Sequence, residues 1–224
     1  MPYTYEYPRP ALTTDVVAFA LRGDQLKVCL VKRRNAPFAG RWVMPGGFVE
    51  ISERIEDAAR RELKEETGLD AGRLHLLGPY DDPERDPRGR VVSIAHITAL
   101  GPEAAPSRFD EHGEVSDSGW HDASSPPPLA FDHQRMLSDA VDALRRLGAW
   151  TTALFDMVGP RFTEEALAAV LGAVYREPPK ARDVIERASK WGAIEGANGN
   201  AFRLSDEADT LTAARLRPFF DIHL

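Results

Sequence analysis

Cysteine is nearly missing from this chain. Cys29 stands alone in the run Val28-Cys29-Leu30-Val31, so no disulfide framework staples the fold, and the expected role of Cys29 is that of a small buried residue. No apolar run approaches the roughly 20 residues that a membrane span needs. The opening MPYTYEYPRPALTTD lacks the basic-then-apolar order of a secretory signal. Together these absences predict a cytoplasmic protein. Positive charge is also short: 28 Lys and Arg face 35 Asp and Glu, a formal net charge of −7. That argues against nucleic-acid binding by the whole surface and leaves local basic patches open. What is present is an ordinary complement of core residues, 43% hydrophobic over 224 residues, enough for one large domain or, as expected here, two small ones.

The rest of the chain can be arranged around Gly47 to Leu69. Ile55, Ala58, Ala59 and Leu63 recur at i, i+3, i+4 and i+8, which gives a helix one face to bury. Ser52 is placed to cap its start, Glu53 falls in the first turn where the helix dipole favours a carboxylate, and Gly68 is placed to close it in the left-handed conformation. The opposite face carries Glu62, Glu65 and Glu66. Their like charges cost about 0.2–0.5 kcal/mol per pair. Arg61 and Lys64 are expected to point elsewhere on the helix, which leaves the offset to a divalent cation. Mg2+ takes oxygen ligands and commonly uses a few carboxylates, with waters and substrate phosphates completing its shell. A merely solvated acidic face is the alternative.

Spacing narrows the choice. Gly47, five residues, Glu53, seven residues and then Arg61-Glu62-Leu63-Lys64-Glu65-Glu66-Thr67-Gly68-Leu69 resembles the Nudix box, G-x5-E-x7-R-E-U-x-E-E-x-G-U with U apolar, and meets every specified position. The resemblance covers about the first two thirds of the chain. It implies an α/β Nudix fold, an α/β/α sandwich around a mixed sheet, that hydrolyses a nucleoside diphosphate linked to another group by metal-assisted attack of water. The family's metal ligands fall on Glu62, Glu65 and Glu66, with the Gly46 carbonyl adding another. Arg61 then orients a glutamate and Glu53 assists from the helix start. The implied ion is Mg2+, with Mn2+ as the alternative, and the implied assembly is a homodimer. The box leaves open which carboxylate is the general base.

Along the chain, Tyr3 to Pro10 predicts an extended arm. Thr14 to Arg22 and Gln25 to Lys32 flank Gly23-Asp24, a hairpin signature. Trp42 to Gly47 resembles the W-x-x-P-G-G approach to the box. Arg33, Arg34 and Arg41 are candidate phosphate contacts, since guanidinium forks match phosphate oxygens, with solvated surface arginines as the alternative. The loop Pro79 to Gly89 mixes arginines with acids and predicts a mobile flap, before a strand over Arg90 to Leu100. Its RDPRGRVVS run resembles Nudix proteins that bind ADP-ribose, including Nudix-related regulators of NAD metabolism, which makes Arg85 and Arg88 candidate substrate contacts. A salt-bridged hairpin tip is the alternative. Glu111, Glu114 and Asp117 lie where Nudix enzymes often keep an additional acid near the metal, with Glu114 ranked first. Trp120 is expected in the core. Asp132 to Leu147 predicts an amphipathic helix capped by Gly148.

Residues 1–148 form the expected Nudix domain and 149–224 a second domain. Thr152 to Val158 predicts a short helix, Thr163 caps another, and Pro178-Pro179 opens a third that runs to Trp191. Asn198-Gly199 predicts a type I′ hairpin between Ala193–Glu195 and Ala201–Leu204. Three helices and a two-stranded wing describe a winged helix-turn-helix. Leu129 to His133, Phe162-Thr163, Tyr175, Arg182 and the Trp191 to Ile194 end resemble Nudix-related transcriptional regulators. Residues 151–224 hold more acids than bases, whereas a DNA footprint is usually basic. Arg176, Lys180, Arg182, Arg187, Lys190 and Arg203 form a candidate local DNA-binding stripe, against a module kept for packing or dimerisation. A further short helix is expected over Asp206 to Pro218. The leading expectation is an Mg2+-dependent pyrophosphohydrolase cleaving ADP-ribose to AMP and ribose 5-phosphate. Its alternative is an ADP-ribose-responsive regulator that binds DNA, and one protein can do both.

Overall fold

The computed structural model describes residues 6–107 and 113–206. Glu111, the start of the N-terminal arm and the helix expected beyond Asp206 lie outside those residues. The first part of the chain runs β1 (Ala11–Arg22), β2 (Gln25–Arg33), β3 (Trp42–Val43), β4 (Gly46–Phe48), α1 (Ile55–Thr67), β5 (His75–Tyr80), β6 (Val91–Leu100), β7 (Val115–Asp122) and α2 (His133–Trp150). Strands β3-β2-β1-β6-β5 lie side by side, with β4 on β1 and β7 on β2. The β1–β6 pair is parallel and the others are antiparallel, so the sheet is mixed. Arg22 pairs with Gln25 across the expected tight turn.

Alternation along β1 sorts its side chains to opposite faces. Val16 and Ala18 join Cys29, Ala59 and Leu63 under α1. Val17 and Phe19 join Val28, Leu30, Met136, Leu137 and Leu144 under α2. This is the α/β/α sandwich. Burial pushes the Cys29 thiol up to about 12, as suits a packing residue.

The chain continues through α3 (Ala153–Asp156), α4 (Glu164–Val174), α5 (Ala181–Lys190) and the hairpin β8 (Ile194–Gly196) and β9 (Phe202–Leu204). This is the helix-helix-helix-wing order of a winged helix. Its apolar residues Leu167, Val170, Leu171, Val184, Ile185 and Ile194 belong to the cluster that covers the α2 face of the sheet, so no gap in packing marks residue 148. Among the described residues no helix is long and apolar enough to cross a membrane.

Four local expectations are corrected. Helix α1 begins at Ile55 with Arg54 as N-cap, not at Ser52, because the Glu53 carboxylate is taken by Arg61 and the Glu50 amide and Ser52 sits in a turn. Gly148 lies inside α2 and does not end it. A Cβ there would fall 2.6 Å from the Tyr175 hydroxyl and 2.7 Å from Leu154 Cγ, so the glycine serves close packing. Helix α5 starts at Ala181, with Lys180 as its N-cap. The Ala197 amide donates to the Ala201 carbonyl at 2.8 Å, so three residues turn the wing where two were expected. Other expectations hold: Gly68 closes α1 at φ 73°, and the Thr163 side chain accepts from the Ala166 amide.

Candidate active site

The cleft lies where β4 meets α1. Three features of the local sequence build it: the Pro45-Gly46-Gly47 turn, the box helix, and the loop between β5 and β6. A Cβ on Gly47 would sit 2.5 Å from the carboxyl carbon of Glu62, so only glycine lets that carboxylate lie against β4. The Gly46 amide donates to Glu66 Oε2 at 2.9 Å. The cavity holds about 360 Å³, and its lining includes the acids Glu62, Glu65 and Glu114 and the bases Arg33, Arg85 and Arg88.

Arg61 is the hub of the acids, contrary to the expectation that it points away. Its guanidinium donates to both Glu53 oxygens at 2.8 and 2.9 Å, to Glu62 at 2.8 Å and to Glu65 at 3.0 Å. The reason is reach: a long side chain at position i meets i+4 on the same helix and bends back to Glu53, just before the N-cap Arg54. The orienting role implied by the resemblance fits this geometry. Arg61 holds the Glu53 carboxyl below its ordinary range. Burial pushes Glu62 up against the opposing pull of Arg61, and the nearby Glu65 and Glu114 add to the rise. Burial also pushes Glu66 well above the carboxylate range, opposed by the Gly46 amide and reinforced by Glu62, Glu114 and Asp15.

Among the described residues no three His, Cys, Asp or Glu side chains are placed to hold an ion as they stand. The donor chemistry nevertheless fits a hard divalent cation. The carboxylates offer oxygen alone, and burial, reinforced by the neighbouring acids, disfavours the charged form of Glu66, which a cation would favour.

The arginines divide. Arg33 and Arg88 line the cleft. Arg85 lines it too but is spent on a fork to Asp132 at 2.8 and 3.0 Å. Arg34 binds the Val115 carbonyl at 2.8 Å, and Arg41 lines a neighbouring cavity instead. The expected flap is tied down, with Arg85 and Asp86 buried and Asp86 held by Arg88 at 2.6 Å. On the C-terminal module Arg176, Lys180, Arg182, Arg187 and Lys190 are exposed, while Arg203 pairs with Glu195 at 2.8 Å. They do not reach the cleft.

A buried network under the cleft was not anticipated. Ser93 donates to Asp15 at 2.5 Å, the Met44 amide donates to His133 Nδ1 at 2.9 Å, and His133 Nε2 faces Asp15 at 3.7 Å. With Nδ1 accepting, the neutral ring carries its proton on Nε2, toward the carboxylate. Burial lowers the His133 pKa. A lone acid inside the apolar run Thr13 to Leu21 was the available signal for Asp15.

A profile of the NUDIX domain matches residues 11–140, more than half of the chain. The chain belongs to the Nudix family. Nudix hydrolases use a divalent metal, in keeping with the oxygen donors of the cleft. This Nudix chain is 40% identical over 134 residues to an ADP-ribose pyrophosphatase of Methanocaldococcus jannaschii, covering 59% of this chain and 74% of that protein. It is 30% identical over 160 residues to the ADPR responsive transcriptional repressor NtrR of Acinetobacter baylyi, covering 70% and 64%. Shewanella oneidensis NrtR complexed with a 27mer DNA superposes with a TM-score of 0.76 at 26% identity, covering 92% of this chain and 98% of that one. The NUDIX domain of the same protein complexed with ADP ribose gives 0.57 at 32% identity, covering 62% and 90%. The likeness to NrtR therefore runs on through the winged-helix module.

Proposed function

We propose that this Nudix hydrolase cleaves the diphosphate of ADP-ribose, with Mg2+, to AMP and ribose 5-phosphate, and that Mn2+ substitutes for Mg2+. The observation that carries the reading is the complete Nudix box folded against a cleft where Glu62, Glu65 and Glu114 face Arg33 and Arg88, a charge pattern suited to a diphosphate bridged by a cation. Glu62, Glu65 and Glu66, with the Gly46 carbonyl and Glu114, would hold the ion, which supplies Lewis-acid polarisation of the phosphoryl group and lowers the pKa of bound water. Arg61, braced by Glu53, positions Glu62 and Glu65. Arg33 and Arg88 bind phosphate oxygens. Arg85 supports the cleft wall through Asp132. The pyrophosphatase relative supports the substrate. The test is incubation with ADP-ribose and Mg2+: AMP should form and chelation should stop it, whereas no AMP with either metal sinks the reading.

A second role is favoured by the likeness to NrtR over almost the whole chain. In it, residues 1–148 sense ADP-ribose and residues 149–224 bind DNA, with Arg176, Lys180, Arg182, Arg187, Lys190 and Arg203 contacting phosphates, in a cytoplasmic homodimer. A salt-titrated gel shift on DNA from around the protein's own gene tests it. An ADP-ribose-sensitive shift supports the regulator, and no shift at low salt rejects it.

A further inference from the structure

The turn that leads into β4 is held from several sides. The Met44 amide donates to His133 Nδ1 at 2.9 Å, the Pro45 carbonyl accepts from the Val16 amide at 2.9 Å, and the Gly46 amide donates to Glu66 Oε2 at 2.9 Å. Gly46 lies opposite Asp15 in the antiparallel β1–β4 pair. The neighbouring residues Val16 and Pro45 bond across the strands, so Gly46 turns its own polar groups away from β1. Its carbonyl therefore points to the side on which its amide meets Glu66.

Of these three bonds only the first depends on a side chain outside the box and the β1–β4 pair. Leu129 to His133 runs beside β3, with a bridge from Leu129 to Trp42 and a bond of 3.0 Å from the Ala130 amide to the Trp42 carbonyl. At His133 the chain enters α2, and its amide donates to the Ala130 carbonyl at 3.2 Å. The imidazole carries the alignment one bond further, to Met44, which is buried and whose amide needs an acceptor. A backbone amide only donates, so Nδ1 accepts and the Nε2 proton faces Asp15 at 3.7 Å. Asp15 is held by Ser93 at 2.5 Å and lies so close to Gly46 that a Cβ there would fall 2.7 Å from its Oδ1. One imidazole thus acts on the turn at two points, the Met44 amide and the carboxylate packed on Gly46. An aliphatic side chain would fill the same space and do neither.

We propose that His133 is a positioning residue for the metal: with Asp15 behind it, it fixes the turn that presents the Gly46 carbonyl to the ion. This rests on the reading above that the carbonyl and the box glutamates hold a cation. It adds a residue from the start of α2, 64 or more positions beyond the box, to the support of that site.

Metal affinity without substrate tests it. Full-length protein, free of nucleotide, is titrated with Mn2+ while the free ion is followed by electron paramagnetic resonance. His133→Leu, which accepts no bond, should weaken Mn2+ about tenfold. His133→Asn, whose Oδ1 stands where Nδ1 stood, should return to within about threefold of the wild type. Ser93→Ala, which releases Asp15, should weaken Mn2+ about threefold. Thermal melting accompanies each titration, because a residue that only fills the core would lower the melting temperature and leave Mn2+ affinity alone. Wild-type affinity in His133→Leu overturns the proposal, and so does a His133→Asn that binds as poorly as His133→Leu. Should His133→Leu fail to melt cooperatively, Ser93→Ala decides in its place, and wild-type affinity there overturns the proposal. Glu65→Gln separates the two readings. If it loses Mn2+ while His133→Leu keeps it, the positioning role alone fails; if it binds Mn2+ as the wild type does, the metal reading fails and the proposal with it.

Discussion

Helices α1 and α5 are both rich in charge, and their charges meet different fates. On α1, Glu62 and Glu65 are drawn partly out of water, Glu66 is buried, and one guanidinium spans Glu53, Glu62 and Glu65. On α5, Arg182, Arg187 and Lys190 stand in solvent beside Asp183 and Glu186, and Lys190 meets Glu186 only at 3.9 Å with both side chains over 70% exposed. Similar residues at similar helical spacing thus act as a constrained cluster in one place and as a solvated surface in the other. Desolvation makes the difference, since it couples charges that water would otherwise screen.

Neutralising one charge at a time tests that contrast. The largest effect belongs to Glu65→Gln and Glu66→Gln, each expected to reduce metal-dependent hydrolysis of ADP-ribose on the order of a thousandfold with an unchanged circular dichroism spectrum. Wild-type turnover by either variant would return α1 to the status of a solvated face. Next comes Arg85→Met, which leaves Asp132 and Asp15 without their buried partner and should lower unfolding stability in urea by about 3 kcal/mol. Stability unchanged within error would mean the network is not coupled. A smaller effect is expected from acid. The His133 pKa is lowered in the folded state, so its contribution is complete above the unfolded value of 6.5 and is lost as pH falls below it. The slope is at most about 1.4 kcal/mol per pH unit for one proton, and His133→Phe should reduce it in thermal melts taken between pH 7 and 5. Least of all, Glu186→Gln on α5 should shift stability by no more than about 0.5 kcal/mol. A large loss there would mean that α5 is not the open surface described.

Much of this was legible because the Nudix box is local. Its positions fall within 23 residues, and a helix carries them to one face whatever the rest of the chain does. Glu114, singled out by the family resemblance, does line the cleft, and the β1–β2 turn was legible by its Gly-Asp pair. What escaped depends on partners far away in sequence. The supposed flap is pinned because Arg85 finds Asp132 47 positions later. Asp15 is tolerated in a central strand because Ser93 lies 78 positions on. Ser52 failed as a cap because Arg61 claimed its neighbour, and Gly148 looked like a helix end because only tertiary packing shows what its missing Cβ makes room for.

Helix α2 joins these two kinds of region in a single rod. Its first residue, His133, forms part of the cleft wall, and near its other end the Arg145 backbone carbonyl accepts a bond from the Tyr175 hydroxyl and Gly148 packs against Leu154. Eighteen residues of helix span about 27 Å, so a tilt of about five degrees at the His133 end displaces the far end by about 2 Å. The helix whose first residue lines the cleft thus also carries, at its far end, contacts that fasten the winged module.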